Sequence, residues 1–325
     1  MYMDRQSKMK DVHLHFTGSL SPSYVYKRLK ETAHPFLISH GISSPDTLSG
    51  TFRSLFTSDY NINQNIFNDI YSLIQSVTKP NSDTDVYDVY RVGTYELALH
   101  LFKMGITNYT IIAGAAGNID NTYARYLGMI HGFADAEKLC KKLYGQICIT
   151  FIRDGGGKLK NYSYNLLKDI CRLLQTEPFK SRCVGFDISG YEYPDENLLN
   201  SNLHVLEEII ETKKTYGLGT TVGLHAGEII TNTVCDSLYD DYFIKLSQLH
   251  PDNIGHGTYL WSEPKRQKIL KLFAKNTRFD ICPVSNSLLT PVNNISSGIQ
   301  NLKTCGVAYT LNRDDPLIFN NWHQR

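Results

Sequence analysis

Short runs of apolar and β-branched residues recur along the chain, and most are followed by a segment with helical periodicity. Runs of this kind are typical of buried parallel strands. The eight that we identify are KDVHLHF, NYTIIAGA, QICITFIRD, RCVGFDISG, TTVGLHAGE, DNIGHG, RFDICPVSN and GVAYTLNRDD. Segments between them, such as NLHVLEEIIETKKTYG, predict helices. The alternation favours a parallel α/β fold, in which functional side chains lie where strands open into loops.

One long stretch after the first strand has no strand-like run. From about Ser44 to Met104 the pattern is helical, as in FRSLF and IFNDIYSLIQ. We therefore predict a helical insertion that lies over the pocket as a lid, with its Asn-, Ser- and Tyr-rich surface facing solvent. Its apolar residues are expected to pack against the protein: Phe52, Leu55, Phe56 and Phe67.

The composition is that of one ordinary globular domain, residues 1–325, with 42% hydrophobic residues and no evident linker. A net charge of +1 leaves no basic surface for polymeric nucleic acid. No run predicts export or a membrane span, so we expect a cytoplasmic protein without a membrane partner. The seven cysteines include no CxxC pair and are expected to be reduced.

Histidines and a carboxylate lie within or at the ends of several of these strands. In HLH, His13 and His15 are two residues apart, so a strand directs both side chains to one face. His225 in GLHAGE and Asp314 in LNRDDP follow two later apolar runs. Three imidazoles and one carboxylate are a plausible ligand set for a divalent ion, with one position left for water. Such an ion can make water nucleophilic near neutral pH.

Glu228 and His256 then remain as a possible acid and base. Each residue also has a simpler interpretation. A single HxH is weak evidence for metal, His256 between glycines fits a turn, and Asp314 with Asp315 fits a cap on the last turn. The ordered set of a histidine pair, a His with a Glu, a lone His and a carboxylate pair favours a hydrolytic metal site.

The same motifs resemble those of the adenosine deaminase family of metal-dependent amidohydrolases. HLHFTGSL is similar to the family's first-strand HxH motif, GFDISG to its purine-contacting loop, and HAGE to the motif with its third metal histidine and catalytic glutamate. IGHG, CPVSN and LNRDDP resemble the base histidine, the strand after it and the terminal Asp pair. The resemblance runs from about residue 10 to 320 and implies a (β/α)8 TIM barrel with its active site at the carboxyl ends of the strands.

The resemblance also implies one Zn²⁺ per chain and hydrolytic deamination of an adenine-containing nucleoside or nucleotide to a 6-oxopurine and ammonia. Glu228 would protonate the ring nitrogen beside the attacked carbon, so its pKa is expected to be raised. His256 would orient the attacking water and help to remove its proton. The implied metal ligands are His13, His15, His225 and Asp314.

Two further residues are implied to bind the purine. Asp315 would hydrogen-bond the imidazole-ring side, and the backbone amide of Gly190 would meet the pyrimidine-ring edge. Taken without the resemblance, Gly190 could equally serve only to permit a tight turn.

The sequence departs from the family on the ribose side. Thr17 stands where adenosine deaminases typically carry an aspartate that contacts the ribose 5′-hydroxyl, and IIAGAAGN replaces a charged and aromatic pattern. Because a neutral hydroxyl would not repel a phosphate, we expect 5′-phosphorylated substrates to be tolerated. Arg153 and Lys158 in RDGGGK are basic candidates for that end, although a plain loop is the simpler interpretation. Alternatively, Thr17 bonds the backbone and the substrate is adenosine.

Other functions stay open. The same site could deaminate a free base or a modified adenine, or the barrel could be an inactive binding or scaffold protein, although Glu228 and His256 argue against a decayed site. The sequence stops at NNWHQR, where the family continues into closing helices. We expect a partner subunit, the amino-terminal segment or a further segment to cover that flank.

Overall fold

The computed structural model describes residues 9–80, 85–154, 156–228, 236–292 and 294–323. Eight β-strands lie within these residues, at the positions of the eight predicted runs. They are β1 (Met9–His15), β2 (Ile106–Gly114), β3 (Tyr144–Arg153), β4 (Cys183–Gly190), β5 (Thr221–Ala226), β6 (Asn253–His256), β7 (Arg278–Ile281) and β8 (Ala308–Leu311).

The strands are parallel, and each pairs with the next along the chain from β1 to β8. The segment that follows β8 returns to β1 through an isolated parallel bridge between Leu14 and Asp314. There the Asp314 amide donates to the His13 carbonyl at 3.0 Å, and the His15 amide donates to the Asp314 carbonyl at 3.1 Å. The predicted (β/α)8 TIM barrel is therefore confirmed, and its closure joins two of the motifs with candidate ligands.

Helices connect the strands, and several begin at a side chain suited to capping. Ser21 accepts from the Tyr24 amide ahead of α1, and Asn118 accepts from the Asn121 amide ahead of α6. The α-helices of the described residues are α1 (Pro22–Glu31), α2 (Pro35–Ser39), α3 (Pro45–Ser54), α4 (Tyr60–Thr78), α5 (Val86–Lys103), α6 (Ile119–Leu139), α7 (Tyr164–Leu173), α8 (Phe179–Arg182), α9 (Glu196–Thr215), α10 (Asp236–Gln248), α11 (Thr258–Trp261), α12 (Gln267–Leu270), α13 (Pro283–Leu289), α14 (Ile295–Cys305) and α15 (Pro316–Phe319).

The helical insertion after β1 is confirmed, but its extent differs from the prediction. It begins at Pro22 with α1, well before Ser44. Its predicted end includes α5, which packs against α6 and β2 in the manner of an outer barrel helix. Helical periodicity could not separate these two positions, because a helix in either one buries a single face.

The insertion also packs on α15, the helix that follows β8. Ser49 of α3 donates to the Leu317 carbonyl at 2.6 Å, and the ring of Phe67 in α4 stacks on that of Phe319 with centroids 5.7 Å apart. The flank beyond β8 is thus covered in part by α3 and α4, which the sequence analysis had not considered for this place.

The apolar residues of the insertion pack largely as expected. Phe52 and Phe56 are buried and Leu55 packs against the core, whereas Phe67 also faces the cavity described below. None of the helices in the described ranges has the length and apolar character needed to cross a membrane. The described cysteines form no disulfide.

Candidate active site

A cavity of about 1220 Å³ lies at the carboxyl ends of the strands, between the barrel and helices α4 and α5. His13 lies beneath it and is 1% exposed. The other predicted site residues line it: His15, Thr17, Gly190, His225, Glu228, His256, Asp314 and Asp315. The structure therefore brings together the residues predicted for metal binding, catalysis and purine contact, together with Thr17.

The four predicted ligands form a tight cluster. His15 Nε2 and His225 Nε2 are 3.0 Å apart, although they come from β1 and β5. Asp314 Oδ1 lies 3.4 Å from His15 Nε2 and 3.9 Å from His13 Nε2. One nitrogen from each of His13, His15 and His225 falls within 4.8 Å of the others. A single ion can therefore be reached by all four side chains.

The backbone around the cluster is strained and closely packed. His256 and Asp314 have φ values of 60° and 66°, in the left-handed region that costs non-glycine residues about 1–3 kcal/mol and that recurs at functional sites. A Cβ on Gly255 would lie 2.9 Å from His13 Cε1, so only glycine leaves room for that ring. Both observations point to a functional centre without reference to any motif.

The chemistry of the cluster fits a metal ion. Both ring nitrogens of His13 are buried and lack a hydrogen-bond partner among the described residues, which is costly unless another group satisfies them. Burial lowers the pKa of His15 to about 3 and that of His225 well below its ordinary value. Neutral imidazoles are the form that binds metal.

The two remaining ligands differ from these. Burial lowers the pKa of His13, but the carboxylates of Asp280 and Asp314 outweigh it and raise the pKa to about 9, so metal binding there would displace a proton. Burial raises the pKa of Asp314, yet His256, His15 and His13 outweigh it and hold the pKa at about 2. Three imidazoles and an ionised carboxylate suit a borderline divalent ion such as zinc.

Two carboxylates that were not predicted from the sequence lie near the Nδ1 atoms of the candidate ligand histidines. Asp187 Oδ2 lies 3.1 Å from His225 Nδ1, and Thr150 donates to the same carboxylate at 3.0 Å. Asp280 Oδ2 lies 3.9 Å from His13 Nδ1. Such partners commonly orient metal-binding imidazoles. The available signal was an aspartate inside each of two apolar strands, GFDISG and RFDICP.

Glu228 stands beside the cluster with its side chain 20% exposed, and its Oε1 lies 3.6 Å from His256 Nε2. Burial, and after it the charge of Asp314, raises the pKa of Glu228 to about 8. The direction is the one expected from the sequence. Glu228 can therefore hold a proton at neutral pH and deliver it into the cavity.

Asn286 orients His256. Its Oδ1 accepts from the Cys282 amide at 3.2 Å, which turns its amide nitrogen toward His256 Nδ1 at 2.9 Å. Nδ1 is then the acceptor, and the neutral ring carries its proton on Nε2. Burial lowers the pKa of His256 to about 4, so the ring is neutral. In this arrangement Nε2 donates a hydrogen bond, whereas the sequence analysis had expected His256 also to take a proton.

Asp315 has an unsatisfied carboxyl oxygen in the cavity wall. The Oδ1 atom is buried without a hydrogen-bond partner in the described part of the chain. Burial, followed by Asp314 and Glu228, raises the pKa of Asp315 well above its usual range. The carboxyl can sit here only because residue 18 is glycine, since a Cβ on Gly18 would lie 1.8 Å from Asp315 Oδ1. A ligand atom would satisfy it.

Thr17 and Gly190 lie on opposite sides of the barrel mouth. Thr17 begins a 3-10 turn after β1, and it lines the cavity together with Tyr71 of α4. The pKa of Tyr71 is raised by burial first and by Asp315 second. Gly190 has φ 87°, and a Cβ there would lie 2.5 Å from the Arg153 carbonyl oxygen. The tight strand end thus requires glycine, and the contact of its amide with substrate stays a prediction.

Of the two basic candidates from RDGGGK, Arg153 lines the cavity but bonds the protein, and Lys158 does not line it. Arg153 is buried, and its guanidinium donates to the carbonyl oxygens of His225 at 2.8 Å and Ser189 at 3.3 Å. Lys158 is exposed and is not among the residues that line the cavity. Arg153 therefore ties strands together, and Lys158 lies on the surface.

The wall contributed by α4 is polar and uncharged. The Asn-rich surface of the insertion does not face only solvent, as its composition predicts, because several of its amide side chains line the cavity. They are Asn61, Gln64, Asn65, Asn68 and Gln75. Helical spacing alone does not show which polar face is turned toward a site.

An eight-stranded barrel with three imidazoles and a carboxylate gathered at the carboxyl ends of its strands defines an amidohydrolase-type protein. The family model for adenosine deaminase matches residues 9–322. The chain belongs to the adenosine deaminase family. Among curated proteins, none matches the chain.

Solved structures with the same fold include adenine deaminase from Arthrobacter aurescens, which is 18% identical with a TM-score of 0.58, over 96% of this chain and 83% of that one. A complex of ADAL with IMP is 15% identical with a TM-score of 0.65, again over 96% and 83%. The apo N6-methyl-AMP deaminase from Arabidopsis thaliana is 15% identical with a TM-score of 0.64, over 96% and 82%. At these identities the likeness establishes the barrel.

Proposed function

We propose that the protein is a zinc-dependent hydrolase that deaminates an adenine-containing nucleoside or nucleotide to the 6-oxopurine and ammonia. The observation that carries this proposal is the arrangement around the cluster. An acid with a raised pKa, a neutral imidazole and an unsatisfied carboxyl all face one cavity beside four candidate metal ligands. Family membership supports the same reaction.

The residues that would hold the ion are His13, His15, His225 and Asp314. When bound there, zinc would supply a Lewis acid that lowers the pKa of water to near neutrality. The remaining steps are assigned to residues of the chain. They bind the purine, position the attacking water and move protons.

Glu228 is the proposed acid. Attack at the amine-bearing carbon places negative charge on the neighbouring ring nitrogen, and that nitrogen must be protonated for the ring to accept the electrons. With a pKa raised to about 8, Glu228 carries this proton at neutral pH. His256, with its proton on Nε2, would orient water by donating a hydrogen bond, because Asn286 occupies Nδ1.

Asp315 and Gly190 are the proposed purine contacts. The unpartnered Oδ1 of Asp315 can bond the imidazole-ring side, in the protonated form that its raised pKa favours. The exposed strand end at Gly190 can present its amide to the pyrimidine-ring edge. We further propose a cytoplasmic location and a small-molecule substrate, in keeping with a net charge of +1.

The test combines metal analysis with ammonia release from adenine, adenosine, deoxyadenosine, AMP, ATP and their N6-methylated analogues. We expect about one zinc per chain and turnover of at least one nucleoside or nucleotide. His13→Ala, His225→Ala and Asp314→Ala should lose metal and activity together. Full activity in a metal-free preparation, or no deamination of any compound by the metal-loaded protein, would contradict the proposal.

A further inference from the structure

The cavity extends well beyond the metal cluster. Its volume of about 1220 Å³ exceeds the range of about 300–1,000 Å³ that is usual for small-ligand sites. One part lies at the end of β2, lined by residues 114–116, Tyr90, Asn121, Arg125 and Asn161. We call this part the β2 pocket. A purine over the cluster would leave it for the remainder of the substrate.

Arg125 is the charged residue of the β2 pocket, and it is held in a fixed position. Its guanidinium carbon lies over the ring of Tyr90, 4.8 Å from the centroid, and its Nη1 donates to the Gly114 carbonyl. Nη2 makes no hydrogen bond with any described residue. A planar, stacked guanidinium with a free terminal nitrogen is suited to a phosphate, because little side-chain entropy is lost on binding.

No counter-charge accompanies this arginine. Arg125 is only partly exposed, and its contacts within the described ranges are with the Tyr90 ring and the Gly114 carbonyl oxygen, not with a carboxylate. The other cations of the cavity do not replace it, since Arg153 bonds backbone carbonyls and lies 3.9 Å from the Glu192 carboxylate, and the side chain of Lys79 is exposed. A partly buried cation without a partner is unfavourable unless a ligand provides the negative charge.

The β2 pocket adjoins the ribose side of the site. The ring of Phe16, next to the proposed ligand His15, stacks on Tyr90 with centroids 5.0 Å apart. The guanidinium of Arg125 lies over the same Tyr90 ring. On the neighbouring strand, Gly114 lies two residues beyond Ile112, the register partner of His15, or about 7 Å along the strand. Thr17 is uncharged, so its side chain would not repel an anion bound on this side.

We propose that Arg125 binds an anionic group, a phosphate at the ribose 5′ end, and thereby selects nucleotides over nucleosides. This proposal rests on the function proposed above. It assigns to one residue of α6 the recognition that the sequence analysis had sought in RDGGGK.

The experiment compares Arg125→Gln, Arg125→Lys and the matched control Arg172→Gln, whose arginine lies on α7 with its side chain 60% exposed. For each protein, kcat/KM is measured for adenosine and AMP, and the affinities for inosine and IMP are measured by titration calorimetry. We expect Arg125→Gln to lower kcat/KM for AMP relative to adenosine by roughly 10- to 100-fold, the scale of a charged hydrogen bond, with a parallel loss of affinity for IMP only. The lysine variant should keep part of the preference, and the control should keep all of it.

The inference is overturned if Arg125→Gln lowers kcat/KM equally for AMP and adenosine, which is the result expected if Arg125 only supports the structure at Gly114. It is also overturned if the ratio of kcat/KM for AMP to that for adenosine does not change. Binding of neither inosine nor IMP to the wild type would overturn it together with the proposed function. Arg125-dependent binding of IMP without deamination would leave the subsite standing and remove only the proposed reaction.

Discussion

Removing the charge of Asp187 should weaken metal binding even though Asp187 is not one of the proposed metal ligands. Its carboxylate is buried, and its two oxygens lie 3.1 and 3.3 Å from His225 Nδ1. The contact holds the ring so that Nε2 faces the cluster, and it raises the basicity of the imidazole. Asp187→Asn keeps the size and one acceptor but loses the charge. Changes of this kind usually cost 10–100-fold in metal affinity, or about 1.4–2.8 kcal/mol.

The assay is competition for Zn²⁺ between the metal-free protein and a chromogenic chelator of known affinity, so it does not depend on turnover. Asp241→Asn is the matched control, because that carboxylate lies on α10 with its side chain 56% exposed and pairs only with Lys245 among the described residues. We expect the loss in Asp187→Asn and wild-type affinity in the control. Equal affinity in all three proteins would refute the role given to Asp187, and the absence of tight zinc binding in the wild type would refute the metal site.

Two further outcomes follow from the site. Because the acid form of Glu228 is required and its pKa is raised to about 8, kcat/KM should be level below that pH and fall as the pH rises through it. Glu228→Gln should retain zinc, lose roughly a hundredfold or more in turnover and lose this limb of the profile, and a wild-type profile that stays level would contradict the assignment. Gly18→Ala should lower both the melting temperature and the activity, since the new Cβ would lie 1.8 Å from Asp315 Oδ1. Gly219→Ala, where no atom lies within 4 Å of the added Cβ, is the control, and equal melting temperatures would show that Asp315 moves aside freely.

The eight strands and the candidate metal ligands could be predicted because their signals are local. A buried parallel strand must be apolar along its length, and the residue types that bind metal or move protons are few. His13 and His15 share a face in any strand, so their proximity follows from spacing alone.

Supporting residues were less visible. Asp187 and Asp280 resemble ordinary strand residues until the strands that carry His225 and His13 are placed beside them. The role of Asn286 depends on two hydrogen bonds: it accepts one from the Cys282 amide just before α13 and donates the other to His256 at the end of β6.

The sequence by itself determined the strand-and-helix alternation and the candidate ligands, because each depends on residue type and short-range spacing. Only the tertiary structure decided where α5 and α15 pack, which face of α4 lines the cavity, and that Arg153 bonds backbone carbonyls beside Glu192 whereas Arg125 contacts the Tyr90 ring and the Gly114 carbonyl. Those outcomes depend on contacts between residues far apart in the chain. A charged side chain has the same local pattern whether its partner is a carbonyl oxygen, a carboxylate or a ligand, and only the assembled barrel specifies which of these it meets.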